Sequence, residues 1–232
     1  MFARDPIGAI YMLGDLEEAA FRQSRWFVDD DRGVVLIYSG LSVPVVLLFG
    51  SVEAAVREAP LPDRFYTKLT DAEAGSFRDW ELSDAEELYV MGLSELQTPP
   101  RVPGLRMRII SDARLIEPLY ADYPGNYFSP EQVPIGVYAA AELDGQVVAA
   151  AGTHAWAPLE HAAALGNVVT AATHRGQGIA RALVAYLCDE LHSRRCRHVG
   201  LHVHRLNRAA VNCYRSIGFD IHSEITQWVA SR

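Results

Sequence analysis

The chain has 232 residues, half of them apolar, and a formal net charge of −8, which is room for one large or two small domains with a real core. No run of about 18 uncharged apolar residues occurs, and the opening MFARDPIGAI has neither the basic region nor the apolar core of a signal peptide, so no membrane span is expected and the cytoplasm is the expected compartment. Residues 1–100 carry 18 acidic against 8 basic side chains and residues 101–232 carry 11 against 13; the acidic half would repel a long polyanion, which argues against nucleic acid as a partner.

In chain order, LGDLEEAAFRQSRWF reads as a helix, and GVVLIYS and VPVVLLF read as strands around a Gly-Leu-Ser turn. SVEAAVREAP is a helix with Ser51 as its cap and Pro60 beyond its end. DRFYTKLT, a short helix from Asp71 and AEELYVM complete a small α/β unit over residues 1–98. Three prolines and a glycine in SELQTPPRVPG mark a linker, taken as residues 99–104, ahead of a second domain at 105–232. There LRMRII is a strand, and SDARLIEPLYADYPG is a helix interrupted or displaced by Pro118. GVYAAAELDGQVVAAAGTHAW is a hairpin turning at Asp144 and Gly145, and AALGNVVTA is a further strand. Residues 178–192 form a helix with Ile179, Leu183, Leu187 and Leu191 on one stripe. HVGLHVH is a strand, a helix runs from Asn207 to about Ile217, and FDIHSEITQWVA closes the chain as one or two strands.

The octet THRGQGIA, residues 173–180, is the most informative stretch. A strand, a glycine turn and a helix start make an anion site, because Gly176 and Gly178 let the backbone approach a ligand while unpaired N–H groups of the first helical turn point at it. GQGIAR lacks the third glycine of a dinucleotide fingerprint, and no Lys-Ser/Thr pair of a nucleoside triphosphate loop follows. Eight arginines between residues 173 and 215, opposed by only Asp189 and Glu190, suit a compact anion. Cys188, Cys196 and Cys213 are an odd set without a CxxC pair, so neither a disulfide framework nor a thiolate zinc site is expected; His202 and His204 share a strand face, but two ligands do not make a metal site.

Taken with LHVHRLNRAAVNCYRSIGFD one helix and one strand later, the octet resembles the acetyl-coenzyme A binding core of the GNAT superfamily of N-acyltransferases over roughly residues 105–230. GNVVTAATHRGQGIARALV corresponds to the pyrophosphate-binding signature, with Arg175, Gly176, Gln177, Gly178, Ile179 and Ala180 matching its RGxG(I/L/Y)(A/G) part. The later segment matches the family's Asn, Ala, Tyr and Gly-Phe positions at Asn207, Ala210, Tyr214, Gly218 and Phe219. Thr173 and Ala172 depart from the Gln or Arg and the proline frequent there, which is expected to adjust affinity rather than abolish it. The resemblance implies an α/β (α+β) GNAT fold with a mixed, splayed central sheet, preceded here by the smaller divergent α/β unit, an arrangement that looks like glycine N-acyltransferase-like members.

The resemblance also implies acetyl-CoA as cosubstrate and a small amine or amino acid as acceptor, attacked directly in a ternary complex. It places a β-bulge near Asn167 to Thr170 that splays two parallel strands, the cofactor arm along Val168, Val169 and Thr170 with an oxyanion donor near Val169, and Tyr214 as general acid toward the departing thiolate. Arg175 is expected at the pyrophosphate, Arg181 near the adenosine 3′-phosphate, and Asn207 as a helix cap that also holds the pantetheine arm. His202 or His204 is expected to take the amine's proton, directly or through water. Glu160 is a possible ammonium anchor; with His154 and His161 it would line the acceptor pocket, and Tyr120, Tyr123, Tyr127 and Phe128 would form its wall or be packing. Cys196, after two arginines, is the one cysteine considered for reactivity. The amino-terminal unit could cover the cofactor, bind the acceptor or form a homodimer face. The alternative to an enzyme is an acyl-CoA-binding sensor or partner module without turnover.

Overall fold

The computed structural model describes residues 1–29, 32–121, 123 and 126–232. Its elements are α1 (Ile10–Gly14), α2 (Glu18–Phe21), β1 (Ser24–Asp29), β2 (Gly33–Tyr38), β3 (Val45–Gly50), α3 (Glu53–Glu58), β4 (Arg64–Leu69), α4 (Asp71–Ala74), β5 (Glu81–Leu93), β6 (Arg106–Ile110), α5 (Glu117–Ala121), α6 (Gln132–Ile135), β7 (Tyr138–Leu143), β8 (Gln146–Ala157), β9 (Ala162–Thr170), α7 (Ile179–Ser193), β10 (His198–His204), α8 (Arg208–Arg215) and β11 (Phe219–Ser231). Among the described residues the strands form one mixed sheet in the order β1-β2-β3-β4-β11-β5-β10-β9-β8-β7-β6.

Alternation along the strands builds two faces, since successive side chains point to opposite sides. Ala139, Ala141, Ala149, Ala151, Leu165, Val199 and Leu201 pack under the apolar stripe of α7, where Ile179, Leu183 and Leu187 are fully buried. Each such leucine contributes roughly 1.5–3 kcal/mol relative to an exposed one. The intervening residues Tyr138, Ala140 and Ala150 pack against Ile116, Tyr120 and Val133 of the α5–α6 region. Ala162 and Ala164 pack against Ile10 and Leu13 of α1. So α7 covers one face of the sheet, and α1 and α5–α6 cover the other. The alanine-rich strands let α1 approach so closely that a Cβ at Gly14 would meet that of Ala155 at 2.4 Å.

Most of the strands and the two long carboxy-terminal helices form where the periodicity predicts them. The predicted helix over residues 13–27 is instead two short helices followed by β1, because Ser24 to Asp29 pair with Tyr38 to Gly33 of β2 and the ladder outweighs local helix preference. Ser51 does not cap α3; Val52 occupies the cap position without a side-chain bond, while the Ser51 N–H donates to Arg32. Pro118 lies in the first turn of α5, where no intrahelical donor is lost. Pro124 and Gly125, at the end of the stretch SDARLIEPLYADYPG, lie outside the described residues. Hydrogen bonding crosses the 99–104 linker: β5 is inserted between β10 and β11, antiparallel to both, and β11 in turn pairs with β4.

Candidate functional site

The glycine loop begins where β9 ends. A 3-10 turn over Ala172–His174 leads to Gly176 and Gly178, whose φ angles of +76° and +79° lie in the left-handed region that costs a side chain roughly 1–2 kcal/mol. Space is not the constraint: a Cβ at Gly176 would meet nothing within 4 Å, and one at Gly178 only ordinary contacts with Arg181 and Val102. The N–H groups of residues 176–181 donate to no backbone carbonyl among the described residues, and they open the 15-residue helix α7. Beside them the Nε of Arg181 and the Oγ1 of Thr170 are buried without a hydrogen-bond partner. Six free backbone donors, a helix start and an orphaned guanidinium nitrogen fit a diphosphate. Arg175 and Gln177 are exposed, Ile179 is core and Ala180 is half-buried; Arg175 donates from Nε to the Thr170 carbonyl at 3.1 Å.

The parallel pairing of β9 and β10 runs from Ala162–His198 to Leu165–Leu201 and stops there, although β9 continues to Thr170 and β10 to His204. The splay begins beside a bulge in β9: Gly166 faces Gly152 and Val169 faces Ala150, one residue too many, with Asn167 at φ +52°. Asn167 is tied down on every side. Its amide donates to Gln132 Oε1 and Tyr138 Oη, both at 2.8 Å, its Oδ1 lies 2.9 Å from His154 Nε2, and its carbonyl accepts from the Tyr120 hydroxyl. The bulge and the splay therefore occur where the sequence resemblance puts them. The register refines the oxyanion expectation. Ala171 N–H donates to Val148, so two residues earlier Val169 bonds to Ala150 across the β8 ladder. Thr170 then turns its backbone toward the gap, with Val168 in the bulge before it.

Tyr214, on α8, is half-buried against the main core and packs edge-on to Phe219 at 5.9 Å. Burial above all, with Cys213, Tyr11, Tyr123 and Cys188 adding to it, pushes its phenol well above the usual range, so it holds its proton at neutral pH. Asn207 caps α8, its Oδ1 accepting from the Ala210 N–H at 3.1 Å. All three cysteines are free thiols. Burial raises Cys188 and Cys213, and pushes Cys196 up to about 11, so the two arginines before Cys196 do not activate it.

Opposite α7, the face beneath α1 carries a polar cluster. His202 Nδ1 lies 3.2 Å from the Nζ of Lys68; its ring centroid is 4.5 Å from that of Tyr11, and the Lys68 ammonium sits 4.4 Å over the same tyrosine. Burial, then Lys68 and His154, hold the His202 imidazole well below its usual value. Burial likewise lowers His154 against the opposing bond from Asn167. Asp15, the C-cap of α1 one turn beyond Tyr11, is pushed up to about 7 by burial, with Lys68 opposing. Lys68 is pushed down to about 8 by burial, with Glu86 and Asp15 opposing.

The structure brings His202, His154, Tyr120 and Tyr214 to the splay, and not all of their sequence companions. His204 is exposed at the strand end, where its Nδ1 accepts the Leu206 N–H. Glu160 and His161 occupy the β8–β9 turn, seven and six residues before the bulge, about 20 Å at the rise of a strand; Glu160 neighbours Glu17 there. Phe128 stacks on Tyr120 at 4.1 Å, whereas Tyr123 and Tyr127 are largely exposed. Sequence reasoning missed Tyr11, Asp15 and Lys68. A usable signal existed for the last: Lys68 is the only lysine among 21 basic residues. Among the described residues no group of His, Cys, Asp and Glu is gathered as a metal centre, and no helix is long and apolar enough to cross a membrane.

With this geometry in hand, the profile of the acetyltransferase (GNAT) family matches residues 106–219. The fold is similar to that of a GCN5-related N-acetyltransferase from Kribbella flavida, at 16% identity over 97% of this chain and 93% of that one, TM-score 0.68. It is also similar to an acetyltransferase of the GNAT family from Colwellia psychrerythraea, at 14% identity over 93% and 89%, TM-score 0.59. A third is a tandem GNAT protein of the clavulanic acid biosynthesis pathway, at 12% identity over 95% and 86%, TM-score 0.58. No curated protein sequence matches the chain.

Proposed function

On the premise of the GNAT acetyltransferase profile over residues 106–219, we propose that the chain belongs to that family and moves an acetyl or other short acyl group from acetyl-CoA to the primary amine of a small molecule or amino acid. The single observation that carries the reading is the splay after Leu165 and Leu201, with the open N–H groups of residues 176–181 at one side and the protonated Tyr214 phenol at the other. The cosubstrate supplies an acyl group already activated as a thioester.

The chain's own residues do the rest. The loop N–H groups, Arg181 Nε and Thr170 Oγ1 hold the diphosphate, and Arg175 steadies the loop through the Thr170 carbonyl. Backbone groups of Val168 and Thr170 orient the arm along β9, and a donor there faces the carbonyl oxygen as charge develops on it. Tyr214 Oη gives its proton to the leaving sulfur. The raised thiols of Cys188, Cys196 and Cys213 favour direct attack of the amine over a cysteine-bound intermediate. His202 is the histidine on the acceptor side. Its lowered basicity keeps the imidazole neutral, so it can hold the water that takes the amine's proton without accepting that proton itself. Tyr11, Asp15 and Lys68 support reading the companion unit, residues 1–98, as part of the acceptor site and not merely as a dimer face. Free cysteines fit a reducing, cytoplasmic setting.

The test is calorimetric binding of acetyl-CoA and desulfo-CoA, followed by thiol release with pooled amino acids, polyamines and aromatic amines. Binding with release from one pool is the expected result. Tight binding without release from any pool would favour a non-catalytic acyl-CoA module, and no binding would remove the cofactor site.

A further inference from the structure

Lys68 stands apart in the sequence as well as in the fold. Every other basic side chain of the 21 is arginine, and the one lysine is half-buried on β4, its ammonium between a histidine and an aromatic ring. β4 and β10 are three positions apart in the sheet, about 14 Å if flat, so the sheet must coil round α1 for Lys68 and His202 to meet. Gln227 faces Lys68 on one side and Glu86 on the other, and Glu86 is engaged by Gln227 Nε2 at 3.1 Å. Asp15 and Glu86 lie near enough to favour the charge, but among the described residues neither closes an ion pair with it.

A crowded ammonium whose neighbours are a neutral imidazole and a tyrosine face is costly to keep, and an apolar side chain of the same length would avoid that desolvation. An ammonium donating to His202 Nδ1 also fixes the imidazole hydrogen on Nε2, so the pair presents two kinds of donor, N⁺–H and Nε2–H, on the acceptor side of the splay. Two convergent donors with one positive charge match a carboxylate. Resting on the acyl-transfer reading above, we infer that Lys68, with His202 and Tyr11, is the anion-binding part of the acceptor subsite, and that the acceptor is an amino acid-class molecule bearing a carboxylate beside its primary amine.

Because Lys68 is the sole lysine, protein labelled with ε-¹³C-lysine gives one side-chain resonance from residue 68. With desulfo-CoA saturating, that resonance is followed against matched pairs: glycine and methylamine, phenylalanine and phenethylamine, glutamate and 4-aminobutyrate, lysine and cadaverine. In the pairs whose amine keeps no carboxylate, the amino acid moves the resonance and raises the Lys68 pKa, since a bound anion favours the ammonium, while its decarboxylated partner does neither. In thiol-release assays the wild type prefers the best amino acid over its decarboxylated partner by ~10- to 100-fold in kcat/KM, the loss expected for one charge-assisted bond. Lys68→Met brings that ratio near one, Lys68→Arg restores part of it, and the acetyl-CoA affinity of both stays that of the wild type. A merely structural lysine would instead lower the melting temperature in Lys68→Met without changing the ratio. A ratio that survives Lys68→Met, or a resonance unmoved by every carboxylate-bearing amine, overturns the inference. Thiol release from no pair, with cofactor binding intact, removes the transferase reading, and the resonance still decides the anion subsite.

Discussion

Burial raises both Tyr214 and Asp15 above their usual values, and each gives a sharp test. Tyr214→Phe keeps the ring that packs on Phe219 and removes the proton, so kcat is expected to fall ~100-fold, at the lower end of general-acid effects, with acetyl-CoA affinity unchanged by calorimetry. An unchanged kcat would remove the acid role. Asp15 tests the acceptor-side cluster through pH. Its folded-state pKa of about 7 is above its unfolded value of 3.8, so the stability it contributes is complete below 3.8 and lost as pH rises through about 7. Asp15→Asn should therefore melt at least ~2 °C above the wild type at pH 8, the effect of under ~1 kcal/mol in a chain of this size, with the gap closing toward pH 5. His202 has the opposite window. Its pKa is lowered from 6.5, so stability falls as pH drops below 6.5, and His202→Gln should flatten that acid limb in pH-dependent melting.

Among the elements, the β9 bulge is where local sequence and tertiary contacts meet. Asn167 tolerates a left-handed backbone better than most residues, and its side chain ties β9 to α6, β7 and β8. Asn167→Gly keeps the backbone freedom and loses three bonds, for an expected ~1–3 kcal/mol of stability; Asn167→Ala loses the freedom too and should cost ~1 kcal/mol more. Both should raise the KM for acetyl-CoA, because the bulge sets the gap between β9 and β10; equal stabilities of the two variants by denaturant titration would show that the left-handed conformation does not matter. The α7 stripe, the Asp144-Gly145 turn and the glycine loop were legible because periodicity and turn chemistry are local. The helix read over residues 13–27 failed for the converse reason: its carboxy-terminal end runs into Trp26, Phe27 and Val28, which favour strands, and β2, distant from the helical signal, supplies the ladder they adopt.

At the scale of the whole molecule, β5 decides how the halves depend on each other. It fills the space between β10 and β11, so residues 105–232 expressed alone would leave both strands with unpaired edges and expose the surface that Met91 buries. That fragment is expected to aggregate, and co-expression with residues 1–104 should yield a soluble complex by size exclusion; a soluble, cooperatively melting 105–232 monomer that binds acetyl-CoA would refute this. The sequence by itself determined the proposed cofactor side: the octet, the α8 cap and Tyr214 lie within about forty residues of one another, and their spacing carries the loop, the helix start and the proposed acid. Only the tertiary structure decided the proposed acceptor side. Tyr11 and Lys68 reach His202, with Asp15 beside Lys68, because the sheet coils round α1 and β5 crosses between the two halves, and no local pattern records a contact between residues 134 positions apart.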